Sequence, residues 1–137
     1  MRIIIHHTKI RTRYCESDAL GHINNISYLV YLEQARVDFM MDCKIINKIE
    51  DWPFVLVSIR CDYKKQIYIN NKIIIISKID EIGRSSFKLC HELRNIGSDE
   101  LLANGEAVMV YFDLNKQKSA PIPREMRSKM EKYTQIN

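Results

Sequence analysis

Hydrophobic and polar positions alternate along most of this chain and switch once to a helical period. Lys9-Ile10-Arg11-Thr12-Arg13-Tyr14 alternates with its basic side chains on one face, and Ile3 to Tyr14 reads as a first strand. Between Ile26 and Cys43 the period lengthens. At about 100° per residue, Ser27, Gln34, Asp38 and Asp42 share a polar arc. Ile26, Leu29, Val30, Leu32, Val37, Phe39, Met40 and Cys43 spread over a broad apolar arc. Glu33 and Arg36 fall inside that apolar arc, three residues apart, and can pair on one side of the helix. The favoured reading is a structural ion pair or a subunit contact; a helix carboxylate directed into a site is the alternative.

The remainder is strand-rich. Pro53 to Tyr63 alternates through Val55, Val57, Ile59, Cys61 and Tyr63, and Asn70-Asn71 marks a turn. Lys72 to Asp80 carries Ile73-Ile74-Ile75-Ile76, the composition of a strand buried on both faces. Ile82-Gly83 turns the chain into a strand from Arg84 to Arg94, Asn95 to Glu100 forms a loop, and Leu101 to Leu114 is a last strand. Pro121 and Pro123 end the sheet, and Arg124 to Tyr133 suits a short amphipathic helix. The pattern predicts an α+β fold in one domain, residues 1–137: a strand, a long helix, about four antiparallel strands and a terminal helix. One helix cannot cover both faces of such a sheet, so the pattern also predicts association through an open face or edge.

Composition adds limits. A 46% hydrophobic, 28% charged chain of 137 residues is an ordinary globular domain with room for a core. Much of the formal charge of +4 gathers in the tail, at Lys116, Lys118, Arg124, Arg127, Lys129 and Lys132. A solvated surface is favoured there over a polyanion site, and no aromatic-interleaved basic stripe points to nucleic acid. Cys15, Cys43, Cys61 and Cys90 form no CxxC pair, which implies reduced thiols and a cytoplasmic setting. No run has the length of a membrane span. His6-His7 lacks a second cluster with ligand spacing, so no metal and no cofactor is expected.

The chemistry concentrates where the first strand meets the helix. There the order Glu16-Ser17-Asp18-Ala19-Leu20-Gly21-His22-Ile23-Asn24-Asn25 delivers a carboxylate into a Gly-containing loop that opens the helix. A helix start offers unpaired backbone N–H groups and the positive end of the dipole. A carboxylate facing such donors is suited to attack on a carbonyl, with the donors receiving the oxyanion. A helix cap is the alternative for Asp18 on this local pattern. Glu16 is a secondary candidate.

The stretch Tyr14-Cys15-Glu16-Ser17-Asp18-Ala19-Leu20-Gly21-His22-Ile23-Asn24-Asn25, continued by Tyr28-Leu29, Tyr31-Leu32-Glu33 and Ala35-Arg36, resembles the hotdog-fold thioesterase superfamily, in its 4-hydroxybenzoyl-CoA thioesterase-like branch. Asp62-Tyr63, Ile82-Gly83-Arg84-Ser85-Ser86-Phe87, Val110-Tyr111-Phe112-Asp113 and Pro121-Ile122-Pro123 extend the resemblance over nearly the whole chain. The resemblance implies a long central helix wrapped by a roughly five-stranded antiparallel sheet, hydrolysis of an acyl-CoA thioester, and a homodimer or homotetramer. It implies Asp18 as nucleophile or general base, the Asn25 backbone N–H as oxyanion donor, Gly21 permitting close approach, and His22 ordering the loop. It further implies CoA phosphates at Arg84, Ser85 and Ser86, with Glu33 as an alternative base on the helix. Some relatives carry a catalytic His where Asn25 stands, and an Asn side chain cannot take over proton transfer. An acyl-carrier-protein thioesterase and a non-catalytic acyl-CoA-binding protein are the competing functions. Phe54, Tyr63, Tyr68 and Met40 are candidate acyl-pocket walls and equally candidate core residues.

Overall fold

The computed structural model describes residues 6–134. Strand β1 (His6–Arg11) leads through a 3-10 turn (Tyr14–Glu16) into helix α1 (Asn25–Asp42). Strands β2 (Phe54–Tyr63), β3 (Lys72–Ile82), β4 (Ser86–Asn95) and β5 (Leu101–Asp113) follow, then a two-residue strand β6 (Lys118–Ser119) and helix α2 (Arg124–Glu131). The five long strands form one antiparallel sheet in the order β1-β3-β4-β5-β2, and β6 pairs with the end of β5. The sheet curls around α1, which is the hotdog arrangement that the sequence resemblance implied.

The strand alternation sets which side chains meet the helix. Ile73, Ile75 and Ile79 of β3, Leu89 and Leu93 of β4, and Ala103, Ala107 and Met109 of β5 point inward and are fully buried. They meet Tyr28, Tyr31, Leu32 and Ala35 in the first half of α1, and Phe39 and Met40 in the second. Burial of such side chains contributes on the order of 1.5–3 kcal/mol each. At Gly105 the helix comes so close that an added Cβ would stand 2.7 Å from both methyl carbons of Leu32. The buried Met130 brings α2 against the second half of the core.

Several boundaries differ from the sequence expectation for local reasons. The first strand stops at Arg11, not Tyr14, because Glu16 accepts the Arg13 N–H at 2.8 Å and winds Tyr14–Glu16 into a turn; residues 3–5 lie outside the described residues. The helix starts one residue early because the Asn24 side chain accepts the Ser27 N–H at 2.8 Å and caps it. Arg84 and Ser85 lie in the hairpin ahead of β4, which the Gly83 N–H to Ser86 carbonyl bond (2.7 Å) closes. Of the four consecutive isoleucines, Ile73 and Ile75 are buried but Ile74 and Ile76 only half-buried, because they face the sheet's outer side. Glu33 corrects the helical arc: it is exposed while Arg36 is buried, and the two make no ion pair within 4 Å.

Candidate active site

The loop between β1 and α1 is held almost wholly by its own backbone. The Asp18 N–H donates to the His22 carbonyl (2.7 Å), the Gly21 N–H to the Asp18 carbonyl (3.1 Å), and the Asn24 N–H to the Glu16 carbonyl (2.9 Å). Gly21 adopts φ 80°, the left-handed region in which glycine carries no Cβ penalty. The neighbouring β2–β3 loop anchors this one: the Ile23 N–H donates to the Ile67 carbonyl (2.7 Å) and the Ile69 N–H to the Gly21 carbonyl (3.1 Å).

This fold of the loop gives the two oxygens of Asp18 different environments. Oδ1 accepts the Leu20 N–H (2.8 Å) and the His22 N–H (3.0 Å). Oδ2 has no hydrogen bond among the described residues; His22 Nδ1 stands 3.7 Å from it, beyond hydrogen-bond range. The carboxylate is exposed, oriented through one oxygen and open at the other. His22 shapes the loop through its backbone, while its ring lies half-buried, edge-on to Tyr68 at 5.0 Å. Asn25 is the first residue of α1, where the backbone N–H has no intrahelical acceptor. Its carbonyl accepts the Tyr63 hydroxyl at 3.1 Å.

Glu16 is a brace for this loop. It is buried, accepts the Tyr31 hydroxyl at 2.7 Å, and takes both the Arg13 backbone N–H (2.8 Å) and the Arg13 guanidinium (2.9 Å). Burial pushes its carboxyl toward the neutral form, but the Tyr31 and Arg13 hydrogen bonds outweigh that and hold it below the usual range. The same contact, with burial, pushes the Tyr31 hydroxyl well up. The expectation of Glu16 as a secondary reactive carboxylate meets a group with its oxygens already engaged.

A second set of groups gathers at the far end of the sheet. Arg84 and Ser85 line a cavity of about 370 Å3 with Asp113, Lys116, Lys118, Ser119, Ala120 and Pro121. The hairpin is pinned by the Tyr111 N–H to the Ser85 carbonyl (2.7 Å), the Ile122 N–H to the Arg84 carbonyl (2.9 Å), and the Arg127 guanidinium on the Gly83 and Arg84 carbonyls. Asp113 accepts the Asn115 and Lys116 N–H groups, shaping the turn that presents the lysines. Ser86 lies in β4 and does not line the cavity. The sequence pattern places Lys116 and Lys118 in a solvated tail, whereas the β5–β6 turn folds them beside Arg84. No local motif gave that away, since the pairing of β6 with Phe112 and Asp113 is what brings them round.

The two sets do not meet within one chain. The Asp18 loop adjoins the start of β3, through the His22–Tyr68 bridge, and Arg84 follows its end. The eleven residues of β3 span on the order of 35 Å at about 3.3 Å each. Glu33, the alternative base, is exposed on α1. Of the candidate pocket walls, Phe54 (6% exposed) and Met40 (0%) are core, whereas Tyr63 and Tyr68 are about half-exposed and stand at the Asp18 loop.

A family model described as the thioesterase-like superfamily matches residues 12–130. The chain belongs to that superfamily. Its class as an enzyme is therefore thioester hydrolase. It is 26% identical over 126 residues to the long-chain acyl-CoA thioesterase FadM of Escherichia coli, covering 90% of this chain and 96% of that one. A predicted thioesterase from Bacillus stearothermophilus superposes with a TM-score of 0.88 at 26% identity, over 98% of this chain and 99% of its own. A Thermus thermophilus thioesterase complexed with coenzyme A and Zn superposes with a TM-score of 0.80 at 26% identity, over 91% of each chain. In this member of the superfamily, no group of three or more His, Cys, Asp or Glu side chains among the described residues is placed to hold a metal. No helix among them is long and apolar enough to cross a membrane.

Proposed function

We propose that the chain hydrolyses acyl-CoA thioesters with Asp18 as the reacting carboxylate. The observation that carries this is the asymmetry of that side chain: Oδ1 is fixed by two backbone N–H groups while Oδ2 is free, one short loop away from the start of α1. As a general base, Oδ2 takes a proton from water; the resulting hydroxide attacks the thioester carbon, and the C–S bond breaks to release thiolate CoA. As a nucleophile, Oδ2 attacks directly, displaces the thiolate and forms a mixed anhydride that water opens. In both routes the Asn25 N–H receives the oxyanion, an effect typically worth about 3 kcal/mol. Thiolate is a good leaving group, so the reaction does not need the acid partner that the site lacks among the described residues. Likeness to FadM and to the CoA-bound Thermus thermophilus enzyme supports acyl-CoA as the substrate.

Arg84, Ser85, Lys116 and Lys118 are assigned to the CoA phosphates, where paired Arg and Lys donors suit phosphate oxygens. Ser86 contributes to the hairpin's shape, through the Gly83 turn. Because the two halves lie at opposite ends of β3, a complete site needs a second copy. β1 and β2 are the two edges of the sheet, and β2 is the one whose Val55, Leu56, Val57, Ile59 and Tyr63 are 37–56% exposed. β2 runs from Phe54, paired with Tyr111 beside Ser85, to Tyr63, bonded to Asn25. Two-fold antiparallel pairing of β2 with its copy brings the Asp18 end of each subunit to the Arg84 end of the other. The working unit is thus a homodimer, with further pairing to a homotetramer. Four free cysteines accord with a cytoplasmic protein.

The deciding experiment is Asp18→Asn assayed on a panel of acyl-CoAs and matched carrier-protein thioesters. Hydrolysis should fall by about 10²–10⁴-fold with the thermal transition unchanged. Full activity in that variant overturns the assignment. Faster turnover of carrier thioesters by the unmodified protein favours the carrier as substrate, and tight acyl-CoA binding without turnover favours a binding protein.

A further inference from the structure

Beneath the middle of α1 the inner face of the sheet is polar where its neighbours are apolar. Strand register sets His6 of β1 opposite Ser77 of β3, and Ser77 opposite His91 of β4. Thr8, two residues along β1, points to the same side, and Arg36 descends from α1. All five are buried: His6 is 9% exposed, Thr8 6%, Arg36 5%, His91 2% and Ser77 1%. Burial first, and then the nearby Arg36 and His6, push His91 down to about 3. His91 is therefore neutral at physiological pH.

Some of the polar capacity is used. Ser77 Oγ bonds His91 Nδ1 at 2.7 Å, and His6 Nε2 bonds Asp42 Oδ2 at 3.0 Å. Four buried atoms remain without a partner among the described residues: His6 Nδ1, Thr8 Oγ1, Arg36 Nη1 and His91 Nε2. A folded domain leaves only a few such atoms per hundred residues, and here four fall in one cluster. Arg36 is the costliest, since a buried cation needs a counter-charge. The carboxylate whose charge acts on it is Glu33, which is exposed and makes no ion pair with it within 4 Å. Asp42 is engaged with His6 and mostly in solvent.

Three of the four unmet atoms can donate; the fourth, His6 Nδ1, is an acceptor when Nε2 carries the ring proton to Asp42. Arg36 Nη1 can only donate. In the tautomer in which the Ser77 hydroxyl donates to Nδ1, the neutral His91 carries its proton on Nε2, and that atom donates as well. The Thr8 hydroxyl is free to donate. Water would supply lone pairs but no charge; an anion supplies both. We propose that the donors of Arg36, His91 and Thr8 bind a small monovalent anion of the halide class between α1 and the inner face of β1, β3 and β4. Arg36 lies eleven residues beyond Asn25, about 16 Å along the helix at about 1.5 Å per residue. The ion is thus a structural ligand that ties α1 to the sheet, independent of the hydrolysis proposed for Asp18.

Crystals of the unmodified protein soaked in bromide, with data collected at the bromine absorption edge, should show an anomalous peak in contact with Arg36 Nη1 and His91 Nε2. A map with water there, or with no peak, overturns the proposal. In solution at constant ionic strength, replacing gluconate by chloride should raise Tm progressively with chloride concentration. Arg36→Met should abolish that dependence. If Arg36→Met does not fold, Thr8→Val removes one donor from the same cluster and should weaken the half-saturating chloride concentration about 2–10-fold. A bromide peak combined with a Tm indifferent to halide means binding at crystal concentration only, and overturns the proposal equally.

Discussion

The two ends of the sheet make an instructive pair. At the α1 end, a single carboxylate sits on a loop whose backbone bonds are nearly all internal to it, so its geometry exists in one subunit. At the hairpin end, Arg84, Lys116 and Lys118 share an open cavity, and none has an ion-pair partner within 4 Å among the described residues. On the function proposed above, one end is preorganised for a reaction and the other is a set of cations for phosphate. Preorganisation matters for the transition state, where reorganisation costs rate, whereas flexible cations suffice to hold phosphate. Their separation by the length of β3 is the reason the proposed site calls for a second copy.

The sharpest way to break that comparison is subunit complementation. Asp18→Asn and Arg84→Ala should each be nearly inactive at low substrate concentration, for different reasons. If each site takes Asp18 from one subunit and Arg84 from the other, a mixed dimer has one site with both defects and one with neither. Unfolding and refolding the two variants together in equal amounts should then restore about a quarter of the wild-type activity. No recovery, with mixed dimers shown to have formed, would place both groups of each site in the same subunit. Next in size is the hairpin end alone. Arg84→Ala combined with Lys118→Ala should raise KM for acyl-CoA about tenfold or more and leave kcat at saturation close to wild type. Equal loss in both parameters would put these cations in the transition state rather than in binding.

The sequence was most legible where the candidate site is local. Asp18, Gly21, His22 and Asn25 lie within eight consecutive residues, and their geometry comes from short-range bonds such as Asp18 to Leu20 and His22. The long helix and the existence of the strands were legible from period alone, whereas the four isoleucines of β3 read as buried on both faces and only Ile73 and Ile75 face the core. Lys116 and Lys118 were not, because their proximity to Arg84 depends on the two-residue pairing of β6 with β5. Tyr63 and Tyr68 were ambiguous between core and site until the β2–β3 loop brought them to Asn25 and His22. Glu33 was misplaced because a broad apolar arc does not show which edge of it the sheet covers. Arg36, on the same arc, is the residue the sheet does cover.

The smallest effect tests whether the preorganised end owes its shape to Glu16. That carboxyl is held below its usual range by Tyr31 and Arg13 against the opposing effect of burial. The unfolded chain therefore binds this proton at a higher pH than the folded one does. The stabilisation Glu16 contributes is complete above the unfolded value of about 4.5 and is lost as pH falls through the lower folded value. Over that acidic window the wild-type protein should lose up to about 1.4 kcal/mol of stability per pH unit from this group. Glu16→Gln keeps the side chain's size and an acceptor for Tyr31 but removes the titration, so its stability should be flatter below pH 4.5. It should also be less stable than wild type near neutrality, because the charged partner of Arg13 is gone. Parallel curves for the two proteins across the acid range would mean that the loop is held by its backbone bonds alone. The brace would then be incidental to the way Asp18 is presented.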